Sequence, residues 1–308
     1  MNNMRLSTTL LTILGVGIFL AIPQLADATD AALSGRCHET LDRALQEAQK
    51  WVKVHAAESL VAAGEGDKVV PVFKHELEAS GNEPEYRIGI WRVLTQASSV
   101  PAEKDQYLQK IIAALRDPNG PDTTHAAETL GKLNYIISAG DRPRVEHLAA
   151  TVTGKGLPFA RWLLALTGNP DDVHKLADLL DHTDPEIRGT TAFSLRYLRD
   201  KLPPDVVEKL QRTADKEPSS EYRMHLLGTA YVTAKDSKLA ARYHDQLLPY
   251  LSASTTPQRF AAICALAIRG DQADITRLTS MLDDPELDIR VIAAHAILEI
   301  QKRAPNGK

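Results

Sequence analysis

The sequence predicts an all-α protein, an α-α superhelix (solenoid) of about eight helical-hairpin repeats. Three observations carry that expectation. First, a short helical phrase recurs eight times at a spacing of 30 to 36 residues, with near-identical copies at His55-Ala56-Ala57-Glu58-Ser59-Leu60 and His125-Ala126-Ala127-Glu128-Thr129-Leu130. A unit of that length cannot bury its apolar face alone, so stacked neighbours must share a continuous core. Second, with Lys53, Arg87, Thr123, Pro158, Arg188, Arg223, Arg259 and Arg290 as equivalent positions, apolar residues fill two later columns. Four residues on stand Ala57, Trp91, Ala127, Trp162, Ala192, Leu227, Ile263 and Ala294, and seven on stand Leu60, Leu94, Leu130, Ala165, Leu195, Ala230, Leu266 and Ile297. Those offsets form one stripe of an amphipathic helix. Third, no alternating run of β-branched residues bounded by turns is present, so strands are not expected.

The elements follow in chain order. Residues 1–28 read as a signal peptide: Arg5 is the sole charge of a short n-region, an apolar run extends from Leu10 to Ile22, Pro23 ends it, and Ala26-Asp27-Ala28 fits a small-x-small cleavage site. The run is short against the ~20 residues that span a bilayer, which favours cleavage over an uncleaved anchor. The expectation is an exported protein, periplasmic or secreted, with residues 29–308 as one repeat domain. Within it, each repeat places a first helix before the columned second helix. Asp67–Ala79, Lys104–Arg116, Asp172–Leu180, Asp205–Asp215 and Lys238–Leu251 all carry helical apolar spacing. Asn169-Pro170-Asp171, Asp184-Pro185-Glu186 and Asp284-Pro285-Glu286 each put an Asn or Asp at the N-cap, Pro next and an acid after it. That order satisfies orphan amides and complements the positive end of the helix dipole. The count comes to roughly sixteen helices in eight antiparallel pairs.

With the starts at Asp184-Pro185-Glu186-Ile187-Arg188 and Asp284-Pro285-Glu286-Leu287-Asp288-Ile289-Arg290, and alanine-rich second helices ending near Leu195 or Ile297, the chain resembles the HEAT-repeat family. The resemblance extends to the short HEAT-like repeats associated with phycobilisome lyases and covers nearly all of residues 38–303. It implies that the second helices line the concave face. Its motif residues serve packing, so it points to a fold more than to an activity. Thr123 and Pro158 depart from the basic position, and Trp91 and Trp162 from the small one.

Composition narrows the functional classes. A chain that is 44% hydrophobic and 5% aromatic, with about 280 residues after cleavage, can bury a large core rich in Ala and Leu. The formal charge of −4 and the absence of any Lys/Arg-rich run give no footprint for nucleic acid. Only two cysteines occur, Cys37 at or before the first helix and Cys264 in the second helix of repeat seven. Helices packed ~8–10 Å apart over six repeats would hold them tens of ångströms from each other, too far for a disulfide. Ser34 stands where a haem-attachment motif would need its first Cys, so haem is excluded.

The side chains that most invite a chemical role are His55 with Glu58 and His125 with Glu128, because spacing of three residues puts imidazole and carboxylate on one helix face. Three readings stand. Glu58, Arg92 and Glu128, which share a column in successive repeats, form a salt-bridge ladder; or these five residues form a partner-contact surface; or the pairs hold a metal. Helix spacing puts the two pairs ~16–20 Å apart, and no Cys/His cluster adds ligands, so no metal and no cofactor is expected. His225 shares the column of the other two histidines and reads as solvated or partly packed, and the Trp91 and Trp162 rings as packing. No phosphate loop, nucleophile elbow or zinc helix is present. The favoured expectation is a non-catalytic, exported scaffold that binds a protein partner on its concave surface through His55, Glu58, Arg92, His125 and Glu128. On that reading nucleic acid and small-molecule substrates are not expected. The alternative is an enzyme-like module of lyase or isomerase type acting on a chromophore or small ligand. A deep pocket with convergent polar groups would favour the alternative, and a long shallow surface the scaffold.

Overall fold

A computed structural model describes residues 21–303 except 118, 219 and 220, with side chains from residue 30 onward. Most of the apolar leader-like run therefore lies outside the described residues. The chain is all-helical, with sixteen α-helices among the described residues. Eight first helices form the outer layer: α1 (Ala21–Glu47), α3 (Gly66–Ser80), α5 (Pro101–Arg116), α7 (Arg142–Thr151), α9 (Pro170–Ala177), α11 (Pro204–Lys216), α13 (Ser237–Leu247) and α15 (Gln272–Met281). Eight second helices form the inner layer: α2 (Lys50–Ala62), α4 (Tyr86–Ala97), α6 (Thr123–Lys132), α8 (Gly156–Ala165), α10 (Pro185–Tyr197), α12 (Arg223–Thr233), α14 (Thr256–Arg269) and α16 (Leu287–Arg303).

The core is the one the columns anticipate. Leu60, Leu94, Leu130, Leu195 and Leu266 have no exposed surface and belong to a single hydrophobic cluster that runs through every repeat. The cap residues act as expected: Asn169 and Asp184 accept from the amides two residues on, and Asp284 accepts from Glu286. Cys37 is a correction. It lies in the interior of α1 and not at its start, because that helix runs on upstream of the first repeat.

The repeat stack does not stay open. Each inner helix packs on the next from α2 to α16, and α16 packs back on α1 and α2. Arg36 of α1 bonds Asp283, His55 Nδ1 lies 2.7 Å from Asp288, and Lys302 donates to the Ala62 carbonyl. The molecule is thus a closed ring of helical hairpins. The argument that Cys37 and Cys264 lie far apart assumed an open stack and fails with it, although both are free thiols.

Candidate ligand cavity

Closure turns the concave face into a lumen, and the inner helices decide what points into it. The register that puts Glu58, Arg92 and Glu128 on this face continues, one residue per repeat, through Leu163, Phe193, Gly228, Cys264 and His295. Tight winding brings helices two repeats apart into contact across the lumen. Trp51 of α2 stacks on His125 of α6 with centroids 6.0 Å apart, and the Lys132 ammonium of α6 lies 5.7 Å from the Phe193 ring of α10.

Between α10, α12, α14 and α16 the lumen opens into a cavity of about 640 Å³. Successive turns of each helix supply the wall. Phe193, Arg196 and Tyr197 come from α10, His225 from α12, Phe260, Cys264 and Ile268 from α14, and Ile292, His295 and Glu299 from α16. Spacings of three, four and seven residues keep each set on one face. The wall is mainly apolar with a few converging polar groups, the composition usual for small-molecule sites of this size.

Burial sets the protonation of those groups. Burial and the nearby Arg196 charge push His225 down to about 3, so its imidazole is neutral at ordinary pH. Burial lowers His295 as well, against the raising influence of Glu299. The Cys264 thiol is pushed up to about 11 by burial, with Arg196 and Lys132 opposing, so it stays protonated. At neutral pH the cavity therefore offers hydrogen-bonding groups and fixed cations, and no thiolate. Arg196 is only 3% exposed. Its Nε donates to Thr229 Oγ1 at 3.3 Å, its guanidinium lies 5.9 Å from the Phe193 ring centre, and its Nη2 has no partner. Among the described residues no cluster of three or more His, Cys, Asp or Glu side chains suits a metal ion, and no helix is long and apolar enough to cross a membrane.

Of the five residues singled out from sequence, Glu58, Arg92 and Glu128 interact on one face, while the two histidines take their closest partners elsewhere. Arg92 makes a bidentate pair with Glu58, Nε to Oε1 at 2.6 Å and Nη2 to Oε2 at 3.2 Å. The other half of the ladder is a correction: Arg92 Nη1 donates to Thr129 at 3.2 Å, while Glu128 pairs with Lys132 at 2.8 Å, one turn along its own helix. The guanidinium fork is filled by Glu58, and the local lysine satisfies Glu128, although the Arg92 charge still reaches that acid. Neither histidine pairs with the acid three residues on. His55 bonds Asp288 and packs on Phe260 with centroids 4.9 Å apart, at the ring seam. His125 stacks on Trp51 and lies 3.8 Å from Glu85. Sequence reasoning missed Arg196, Cys264 and His295 and set His225 aside. Column position was the available signal, since three of the four fall at or beside the columns of His55 and Glu58.

No family model matches the chain, and no curated protein matches it. Among solved structures it is similar to human deoxyhypusine hydroxylase in complex with glycerol, at 15% identity and a TM-score of 0.42, over 91% of this chain and 99% of that one. It is also similar to an engineered protein solved by a structural genomics consortium, at 14% identity and a TM-score of 0.32, over 86% of this chain and 96% of the other. These likenesses concern the helical-repeat fold, and the first neighbour is an enzyme by name. The reading of a non-catalytic scaffold holding a protein on an open concave surface is corrected. What decides it is closure: the concave face is a lumen whose side chains bond one another, and its free space is a pocket of small-molecule size.

Proposed function

We propose that this chain is an enzyme-like helical-repeat module that takes a small ligand into the cavity between α10, α12, α14 and α16. The observation that carries the reading is the cavity itself, about 640 Å³ with a mostly apolar wall and polar groups converging from four helices. An isomerase rearranges one bound molecule and a lyase splits one by elimination, and either suits a cavity sized for a single ligand. The test is native mass spectrometry of the intact protein purified from its own source, beside an Ile268→Trp variant that fills the cavity. A small noncovalent adduct on the wild type, lost from the variant, is expected. NMR of the released compound with substoichiometric protein then reads turnover. The absence of any adduct, together with no compound of a metabolite set that raises the Tm of the wild type alone, removes the reading.

Export goes with this reading as a further proposal. It is supported by Arg5, the apolar run and Ala26-Asp27-Ala28 in residues 1–28. N-terminal sequencing of the protein from its source is expected to begin at Thr29, and a chain beginning at Met1 removes the proposal.

A further inference from the structure

Most cations on the inner layer have their charge answered within the chain. Arg92 has Glu58, Lys132 has Glu128, and Arg188 has Glu217 through two bonds of 2.8 and 2.7 Å. Arg303, at the cavity edge, donates to the carbonyls of Ala267 and Gly270. Arg196 differs. It is as deeply buried as Arg92, yet its one hydrogen bond is to a neutral hydroxyl, and Nη2 meets no acceptor. An ion buried without a counter-charge is costly in a protein interior. Packing leaves room beside it: Gly228 faces the guanidinium, and a Cβ there would stand 3.7 Å from Nη2. His225, on the same wall, also has its Nδ1 without a partner. The apolar part of the wall is led by Phe193, Phe260, Ile268 and Ile292, with Tyr197, Arg199, Cys264 and His295 among them. Glu299, the acid on the wall, is paired with Lys302 at 2.8 Å.

We infer that Arg196 is the anchor for the head group of an anionic ligand, of carboxylate, phosphate or sulfonate type, whose aromatic or aliphatic body lies against Phe193, Phe260, Ile268 and Ile292. The inference rests on the proposed ligand cavity and adds the chemical class of what enters it. The Arg196 fork supplies charge-assisted donors, His225 Nδ1–H adds a neutral donor in that tautomer, and the apolar wall excludes water from the pair. Arg196 binds and orients; no bond-making step is assigned to it.

The test uses two dyes of one aromatic skeleton on the full protein: 8-anilinonaphthalene-1-sulfonate, which is an anion, and N-phenyl-1-naphthylamine, which is neutral. The sulfonate is expected to bind the wild type about tenfold or more tightly than the neutral dye, the scale of a hydrogen bond to a charged group. Arg196→Met should erase that preference and keep binding of the neutral dye, and Arg196→Lys should keep part of it. Ile268→Trp should abolish both. Equal affinity of the two dyes for the wild type, or an unchanged preference in Arg196→Met, overturns the anion inference and leaves the cavity reading standing. No binding of either dye, or binding untouched by Ile268→Trp, overturns the cavity reading and the inference with it. If Arg196→Met does not fold, octanoate and octanol are compared as displacers of the neutral dye from the wild type. Octanoate should act at about tenfold lower concentration, and equal potency overturns the inference.

Discussion

Glu58 and Arg92 illustrate how far a column of like positions can be trusted. Both face the lumen as their shared offset requires, and the pair forms. Arg92 is 3% exposed, so removal of its acid strands a buried cation. Glu58→Gln is expected to lower unfolding free energy by about 3 kcal/mol, while Glu58→Met with Arg92→Met should recover most of it, both read from urea denaturation. A double variant as unstable as the single one would show that the charge is not what matters there. His225 gives a prediction in pH. Its folded pKa is lowered from 6.5 to about 3, so between those values the unfolded chain binds a proton that the folded chain does not. Stability therefore falls as pH drops from 6.5 toward 3. His225→Gln should flatten that part of the profile, and the His225 ring carbon signal in NMR should stay at its neutral position at pH 5. An imidazole titrating near 6.5 would refute the burial.

At the scale of the helix, α6 shows both what the repeat conveys and what it hides. Leu130 is fully buried in the column the repeat defines, and Leu130→Ala is expected to cost about 2–5 kcal/mol by opening a cavity. Its neighbour Gly131 carries no signal in the repeat, yet a Cβ there would stand 2.5 Å from the Trp162 ring of α8. Gly131→Ala should cost about 1–3 kcal/mol through overpacking. Gly131→Ala with Trp162→Phe should recover part of that loss in thermal unfolding, and no recovery would place the strain elsewhere. Several of the basic residues that open the inner helices tie their repeat to the next: Arg87 bonds Asp122 at 2.6 Å, Arg188 bonds Glu217, and Arg259 lies 3.4 Å from Asp284. Trp91 is the exception in its column, half-buried with Arg87 and Lys110 over its ring at 5.8 and 5.7 Å.

For the whole molecule the consequential contact is between its ends. Repeat proteins draw stability from neighbouring units and can open locally. The seam at α1, α2 and α16, held by His55 with Asp288, Arg36 with Asp283 and His55 on Phe260, is the one repeat interface of the ring that no chain connection crosses, so opening is expected to begin there. Asp288→Lys with Phe260→Ala should speed amide exchange in α1, α2 and α16 and leave α6 to α10 protected. Uniformly faster exchange along the chain would mean that the ring behaves as one cooperative unit. Ring opening should also weaken cavity binding, because α14 and α16 supply most of its wall.

The sequence by itself determined the all-α class, the eight hairpins, the buried leucines and the caps, because each of these rests on contacts within one repeat or between adjacent repeats. Periodic spacing encodes such contacts directly. It also put Glu58, Arg92 and Glu128 in one column, and the resemblance to HEAT repeats implied that this column lies on the inner face. Only the tertiary structure decided that the stack closes, that His55 serves the seam and His125 the Trp51 stack, that Lys132 takes Glu128, and that Arg196 is left facing a cavity without a counter-charge. The physical reason is accumulation. A small rotation per repeat, summed over eight repeats, separates an open groove from a ring, and no single repeat's spacing carries that sum. Which cation finds an acid depends in turn on which helices the closed ring sets against one another.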